Sequence, residues 1–228
     1  MKWAMERDYH NNADFMSFKT KRDDSEIIYL TANELMRIYN LDLASNKKMD
    51  KVRDIFCFQA FTGQRYSDIV NLRQRDIFEI DGHFEWHVYQ IKGNKSKKIT
   101  IPLSDKAVQI FYKYKSELSS SQSLFDAPCN NWANIVLKDI CEMAEINEPI
   151  TIVQYNGKNR VETTKAKHQL IGTHCARRTF VTLSLEKGMR PEVIQQVTGH
   201  EDYKVMKRYI KITEKVVKNE IRRAWDNQ

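Results

Sequence analysis

The chain has 228 residues, of which 41% are hydrophobic and 29% are charged, values typical of a globular protein that buries a sizeable core. It contains no run near the roughly 18 apolar residues of a spanning helix and no apolar signal-peptide segment at its N-terminus, so we expect a cytoplasmic protein. The net charge of +7 favours a polyanionic partner, either nucleic acid or an anionic membrane surface.

The N-terminal residues 1–28 are polar and show no sustained hydrophobic period, which predicts a tail or linker. The first firm signal follows them, where Thr31 and Glu34 have the spacing of a capping box and Leu30 can pack on Leu35. We therefore predict a helix from about residue 32.

A helix over residues 48–61 is predicted next, ending at Gly63, and a short helix over 66–72 follows Arg65. Three strands are then predicted at 76–80, 84–91 and 97–102. The dipeptides Asp81-Gly82 and Gly93-Asn94 separate them and are typical hairpin turns. The segment is therefore predicted to form a small three-stranded antiparallel sheet.

Helices are predicted again at 104–118 and 132–144, separated by a serine-rich loop at 119–123. A second hairpin is predicted at 150–161. The helix at 173–186 should end at Gly188. Pro191 suits the first turn of the next helix, which extends to residue 198. Helices at 202–210 and 213–225 complete a mainly α chain with small antiparallel β-hairpins, an α+β class.

No metal or other cofactor is expected. Two histidines, His83 and His87, could share one face of a strand, but the neighbouring sequence offers too few further ligands for a metal site. The cysteines lack Cys-x-x-Cys spacing, so buried free thiols in a reducing compartment are the expected state. They are Cys57, Cys129, Cys141 and Cys175.

Basic residues occur in two boxes with helical spacing. Arg65 and Asp68 are three residues apart, so the carboxylate could brace a guanidinium whose fork fits two phosphate oxygens, although a simple surface ion pair has the same spacing. His174 and Arg177 are also three apart, near a predicted helix start where free backbone N–H groups favour an anion.

Three further features accompany these boxes. His200 follows Gly199 at a helix break, where an imidazole can be aimed at a ligand or satisfied structurally. Tyr209 lies in a basic segment, since residues 204–223 hold eight Lys or Arg against two Glu, which suits a helix close to phosphates. Four lysines lie within residues 92–98 at a predicted hairpin tip, where they could bind phosphate or only add solubility.

Together these boxes and the tyrosine occur in the chain order Arg, Lys, His-x-x-Arg, His and Tyr. This order resembles the tyrosine recombinase (phage integrase) family, and in particular the catalytic domain of integrases from bacterial mobile elements. The resemblance covers about residues 30–209. Thr198 departs from it, because a leucine usually precedes the Gly-His pair; we expect this position to serve packing. By resemblance, the catalytic residues are Arg65, Lys92, His174, Arg177, His200 and Tyr209, with Asp68 as the acidic partner of Arg65.

The implied reaction needs no cofactor. The tyrosine attacks phosphorus to form a 3′-phosphotyrosine and release a 5′-hydroxyl, while the two arginines stabilise the transition state. His174 would assist removal of the tyrosine proton, Lys92 would protonate the leaving oxygen and His200 would hydrogen-bond a phosphate oxygen.

Further basic residues are expected to contact the DNA backbone. One of these, Arg178, should point away from the phosphotyrosine site. The full set is Lys95, Lys97, Lys98, Arg178, Lys207 and Arg208. Double-stranded DNA is the expected partner, with self-association into a tetramer on paired sites, possible accessory DNA-bending proteins and no membrane.

Family members carry a helical DNA-binding domain ahead of the catalytic one. We therefore interpret residues 1–28 as its last helix plus linker and 29–228 as the catalytic domain. Residues 213–228 are predicted to form a C-terminal helix, for which two placements stay open: packing on its own domain or exchange between protomers. The implied function is integration or excision of a mobile element by a nucleoid-associated bacterial enzyme. Two alternatives remain: relaxation of DNA by a type IB topoisomerase, and a catalytically idle DNA-binding protein of the same fold.

Overall fold

The computed structural model describes residues 1–17, 27–92, 95–115, 122–156, 159–200 and 206–209. Its helices are α1 (Lys2–Met5), α2 (Ala32–Tyr39), α3 (Lys47–Thr62), α4 (Tyr66–Val70), α5 (Asp105–Tyr114), α6 (Asn130–Met143), α7 (Lys167–Leu170), α8 (Thr173–Glu186) and α9 (Pro191–Thr198). Its strands are β1 (Ile77–Ile80), β2 (His83–Lys92), β3 (Lys95–Pro102), β4 (Pro149–Asn156) and β5 (Asn159–Ala166). Residues 206–209 are also helical.

Helix α3 is the centre of the core and contacts α2, α5, α6 and α8. Its residues 52–60 are all buried, as expected of a helix that other elements cover on every side. Asn46 caps its first turn by accepting a hydrogen bond from the Met49 N–H (3.2 Å). Gly63 ends it in the left-handed conformation, with φ of 71°. The predicted stop is confirmed.

Helix α2 begins with the predicted capping box. The Glu34 carboxylate accepts from the Thr31 N–H (2.7 Å), and the Thr31 hydroxyl accepts from the Glu34 N–H (3.3 Å). Glu34 also binds Lys167 in a buried ion pair (2.8 Å). The pair ties the start of α2 to α7, immediately ahead of α8.

The first three strands form the predicted antiparallel sheet in the order β1-β2-β3. Asp81 and Gly82 both have positive φ (50° and 77°), the conformation that a two-residue hairpin turn requires. Trp86 pairs with Ile101 on the buried face, and Lys92 pairs with Lys95 at the far end. The second turn, residues 93 and 94, lies outside the described residues.

The second hairpin is longer than the predicted 150–161, since β4 and β5 span Pro149–Asn156 and Asn159–Ala166. Its strand β5 is exposed along almost its whole length. A strand with neither face buried carries no alternation of apolar and polar residues, so the sequence pattern could not mark its end.

Of the N-terminal segment predicted as a last helix plus linker, the described residues contain α1 and a 3₁₀ turn at Asp14–Met16. One expectation needs correction. Cys57, Cys141 and Cys175 are buried as expected, but Cys129 is exposed ahead of α6.

The C-terminal helix predicted at 213–225 lies outside the described residues, as do parts of the one predicted at 202–210. Across the described ranges, no helix is long and apolar enough to span a membrane.

Candidate active site

Arg177 is the most deeply buried cation of the candidate site, with 2% of its surface exposed. It lies one turn into α8, and its guanidinium reaches two other elements. Nη1 donates to the Gly63 carbonyl after α3 (2.9 Å), and Nη2 donates to the Thr198 carbonyl at the end of α9 (2.7 Å). Burial, and then the charge of Arg65, lowers the Arg177 pKa to about 10. The cation is therefore held in place by carbonyl dipoles before any ligand binds.

His200 is fixed by two hydrogen bonds, one to each ring nitrogen. Nε2 lies 3.1 Å from Arg177 Nη2, and Nδ1 lies 2.7 Å from the Thr198 hydroxyl. Gly199 adopts the left-handed conformation (φ 68°) and turns the chain so that the ring faces Arg177. Burial, followed by the charges of Arg177, Arg65 and His174, lowers the pKa of His200 to about 4. The imidazole is therefore neutral near pH 7.

Thr198 differs from the role expected of it. The side chain is fully buried but does not act only in packing, because its hydroxyl binds both His200 and the Ile194 carbonyl (2.6 Å). Its own carbonyl accepts from Arg177. Thr198 therefore orients both neighbouring functional side chains, a role that leucine could fulfil only through its backbone.

Arg65 lies on the rim of the site as the N-cap of α4, and its side chain is exposed. The Asp68 carboxylate accepts from the Arg65 backbone N–H (3.2 Å). Burial raises the pKa of Asp68, while that hydrogen bond and the charges of Arg65 and Arg177 act in the opposite direction. Asp68 therefore fixes the chain at Arg65 by its backbone and also lies within electrostatic reach of both arginines.

His174 lies in the first turn of α8 and is exposed. Partial desolvation of the ring, followed by the charges of Arg178, Arg177 and Arg65, lowers its pKa. A neutral imidazole at this place can accept a proton, which the proposed role of His174 requires.

Tyr209 is buried, with 6% of its surface exposed. It packs in a second apolar cluster with Val181 and Leu185 of α8, Ile194 of α9 and Met206. Burial raises the pKa of its phenol, while the charges of Arg178, Arg177 and Arg208 counteract that rise. The tyrosine therefore lies against the same helix that carries the His-x-x-Arg box.

Arg178 was expected to point away from this site, but its charge acts within it. It is the largest charge effect on both His174 and Tyr209. Helical spacing explains this, because residues 174, 178, 181 and 185 follow one another at intervals of four, three and four along one face of α8. That face includes Val181 and Leu185, the two α8 residues in the cluster of Tyr209.

The lysine hairpin approaches the site from the side of α9, which contacts β3. Lys92 is the last residue of β2, and the first residue of β3 is Lys95. The side chains of residues 90–97, Lys97 included, lie outside the described part. Lys98 is exposed, and so are Lys207 and Arg208 beside Tyr209.

Two side-chain amides without a predicted role hold this framework together, and one of them, Gln64, is buried. Gln64 donates to the carbonyls of Thr62 (3.0 Å) and Val197 (2.8 Å), joining the end of α3 to α9. The Asn134 side chain accepts from the Thr173 N–H (2.7 Å) and so fixes the first turn of α8. The sequence offered one signal that could have identified Gln64, because this residue directly follows the glycine that ends the buried helix α3.

Within the described ranges, no group of three or more His, Cys, Asp or Glu side chains could hold a metal ion. What the site offers is preorganised positive charge, two neutral imidazoles and a phenol. This combination suits the binding of a phosphodiester and nucleophilic attack on it.

Comparisons with known proteins agree with this geometry. The model of the phage integrase family matches residues 29–215. The chain is 27% identical over 180 residues to the tyrosine recombinase XerA of Pyrococcus furiosus, covering 77% of this chain and 56% of that protein. It is 24% identical over 174 residues to the tyrosine recombinase XerC of Treponema denticola, covering 74% and 55%. The chain thus spans about half the length of the curated relatives it matches.

Solved structures share the fold. A crystal structure of XerA recombinase has a TM-score of 0.62 at 19% identity and covers 91% of this chain and 67% of the other. A lambda integrase dimer bound to a COC′ core site has a TM-score of 0.58 at 18% identity, covering 91% and 68%. The mainly α fold with small antiparallel sheets, predicted from the sequence, is therefore confirmed as that of these recombinases.

Proposed function

The chain belongs to the phage integrase family, and we propose that it is the catalytic part of a site-specific DNA recombinase that cuts and rejoins DNA through a 3′-phosphotyrosine at Tyr209. The observation that carries the proposal is the arrangement around Arg177. A buried guanidinium is held by two carbonyls and by His200, and Tyr209 packs on the same helix.

In the proposed reaction the scissile phosphate binds between Arg65 at the rim and Arg177 at the base. Their guanidinium groups neutralise the non-bridging oxygens, and the fixed donors stabilise the pentacoordinate transition state more than the ground state. His174, neutral because of its lowered pKa, accepts the phenol proton as Tyr209 attacks phosphorus.

The 5′-oxygen leaves with a proton from Lys92. His200 hydrogen-bonds a phosphate oxygen. Because the phosphate ester is preserved as the phosphotyrosine, the 5′-hydroxyl of another strand can attack it in the reverse sense and rejoin DNA without an external energy source. No metal takes part in these steps.

Association with duplex DNA relies mainly on phosphate contacts, for which the exposed residues Lys98, Lys207 and Arg208 are suited. A solved relative supports this choice of partner, since the lambda integrase structure is described as a dimer bound to a core site. We extend the proposal to a tetramer on paired sites, possible accessory DNA-bending proteins and a cytoplasmic, nucleoid-associated location. A mobile element is the proposed context, because a matching structure is an integrase of the Tn1549 transposon.

The proposed domain organisation assigns residues 29–228 to the catalytic domain and 1–28 to the junction with a DNA-binding domain. It rests on the family match, which begins at residue 29, and on the length of the curated relatives. The C-terminal segment 213–228 is proposed to dock on a neighbouring protomer.

The test is recombination between two copies of the element's own junction sequence, with a nicked duplex to trap the covalent intermediate. We expect wild-type protein to form an adduct and join defined sites. Tyr209→Phe should form no adduct and still bind duplex. Binding without an adduct in the wild type would favour an idle DNA-binding protein, and relaxation of plasmids without joined sites would favour a topoisomerase.

A further inference from the structure

The protons of the Arg177, His200 and Thr198 network can be assigned from its donors and acceptors. Arginine only donates, so His200 Nε2, 3.1 Å from Arg177 Nη2, must accept. A neutral imidazole carries one N–H, which is therefore on Nδ1 and donates to Thr198 Oγ1 at 2.7 Å. The single Thr198 hydroxyl hydrogen is left to donate to the Ile194 carbonyl at 2.6 Å.

Both partners of the partly buried His200 ring are themselves buried, which fixes the assignment in the resting site. Thr198 is fully buried and Arg177 is 2% exposed. A proton on Nε2 would oppose the Arg177 N–H directly. If Nδ1 kept its own hydrogen, that proton would also make the ring an imidazolium, repelled by the charges that face it from α8 and α4, namely Arg177, Arg65 and, when protonated, His174.

A bound phosphate changes what His200 must supply, because phosphate oxygens only accept hydrogen bonds from the protein. Nε2 then needs a proton. It can be gained by uptake from solvent, which gives an imidazolium, or by moving the ring hydrogen from Nδ1 to Nε2. The second route turns Nδ1 into an acceptor, and the Thr198 hydroxyl could satisfy it only by leaving the Ile194 carbonyl.

We propose that Thr198 is a positioning residue whose hydroxyl, committed to the Ile194 carbonyl, keeps the ring hydrogen of His200 on Nδ1 when phosphate binds, and so commits the ring to engage the scissile phosphate as a cation, with uptake of one proton. This inference rests on the proposed function for the identity of the anion, although the resting tautomer does not depend on it. A leucine at position 198, the residue expected from the family, would leave His200 free to use either route.

The resting tautomer is measured directly by ¹⁵N NMR of the histidine side chains in the whole chain, with His200→Gln used to identify the His200 signals. We expect a protonated Nδ1 and an unprotonated Nε2 at neutral pH. Thr198→Ser and Thr198→Val should both keep this pattern in the free protein, because Arg177 still donates to Nε2 in each. A protonated Nε2 in the wild type would overturn the proposal.

The consequence for the reaction is tested by the rate of adduct formation on a nicked duplex at saturating protein, from about pH 6 to about pH 9. The effect of pH on the tyrosine is common to all variants, so dividing the rate of Thr198→Val by the wild-type rate isolates the contribution of His200. Wild-type His200 needs a proton from solvent, which becomes scarcer as pH rises, whereas the variant can also use the neutral route. We expect this rate ratio to rise roughly fivefold with pH, which corresponds to the free energy of one hydrogen bond. The ratio for Thr198→Ser should stay constant.

A ratio that does not change with pH for Thr198→Val would refute the role of Thr198 in the reaction. The proposed function fails by a different result, which is an adduct that persists in Tyr209→Phe. Because the tautomer is read in the free protein, that failure would leave the NMR result interpretable. If Thr198→Val does not fold, the wild-type spectrum still decides the assignment.

Discussion

Replacing Gly63 by alanine perturbs the point where the core meets the site. Gly63 has φ of 71°, so alanine there is strained by about 1–2 kcal/mol. The added Cβ would also overlap the Phe180 ring, coming closer than van der Waals contact to Cδ1 and lying 2.7 Å from Cε1. Overpacking of this kind costs about 1–3 kcal/mol. We therefore expect Gly63→Ala to lower the free energy of unfolding by about 2–5 kcal/mol.

The assay is urea unfolding followed by circular dichroism, with Gly188→Ala as the matched control. Gly188 has φ of 81° but nothing within 4 Å of an added Cβ, so it carries the backbone strain alone. We expect the control to lose about 1–2 kcal/mol. The difference between the two variants measures the overlap with Phe180.

The same substitution should reduce adduct formation, because the Gly63 carbonyl binds Arg177 and Phe180 packs against the cluster of Tyr209. In a Phe180→Ala background, Gly63→Ala should cost less stability by about 1–3 kcal/mol, since the ring is gone. Equal losses in Gly63→Ala and Gly188→Ala, or no coupling to Phe180, would refute this reasoning.

Three further predictions concern charge and protons. Arg178→Gln should slow adduct formation several-fold at neutral pH and move the alkaline limb of the rate–pH profile to higher pH, because the Arg178 charge lowers the Tyr209 pKa. Lys98→Gln should weaken duplex binding without moving that limb. The same effect in both variants would contradict the placement of Arg178 near Tyr209. A substrate with a bridging 5′-phosphorothiolate, whose leaving group needs no proton, should rescue Lys92→Ala; rescue of Lys95→Ala instead would transfer the role of general acid. The His200 pKa of about 4 is below its unfolded value of about 6.5, a difference worth about 3 kcal/mol for a fully buried ring. Because the ring is partly exposed, we expect His200 to contribute about 2 kcal/mol of stability, which is lost as pH falls from about 6.5 towards 4. Urea unfolding at several pH values should show a smaller loss in His200→Gln, and identical pH dependence in both proteins would contradict the assignment.

The sequence predicts most of the scaffold because its signals are local. The capping box at Thr31, the glycine that ends α3 at Gly63 and the proline that begins α9 at Pro191 each act through one turn of backbone. Local sterics and hydrogen bonds suffice to place such ends, and the structure agrees within a residue or two for these helices.

The site is less predictable because its contacts join residues far apart in the chain. Arg177 binds a carbonyl 114 residues away, and Gln64 binds one 133 residues away. The sequence identifies the residue types but gives no distance between the elements that carry them. The family resemblance brought the set together, and it also suggested packing for Thr198, whose hydroxyl in fact orients His200.

The central claim is that Tyr209 becomes covalently attached to DNA, and mass spectrometry of a trapped adduct tests it most directly. Wild-type protein would be reacted with a nicked duplex, digested with nuclease and protease, and searched for a peptide with a nucleotide on one residue. We expect a 3′-phosphonucleotide on Tyr209. A nucleotide on another residue, such as Tyr203, would contradict it, and so would a DNA-bound wild type in which no peptide carries a nucleotide.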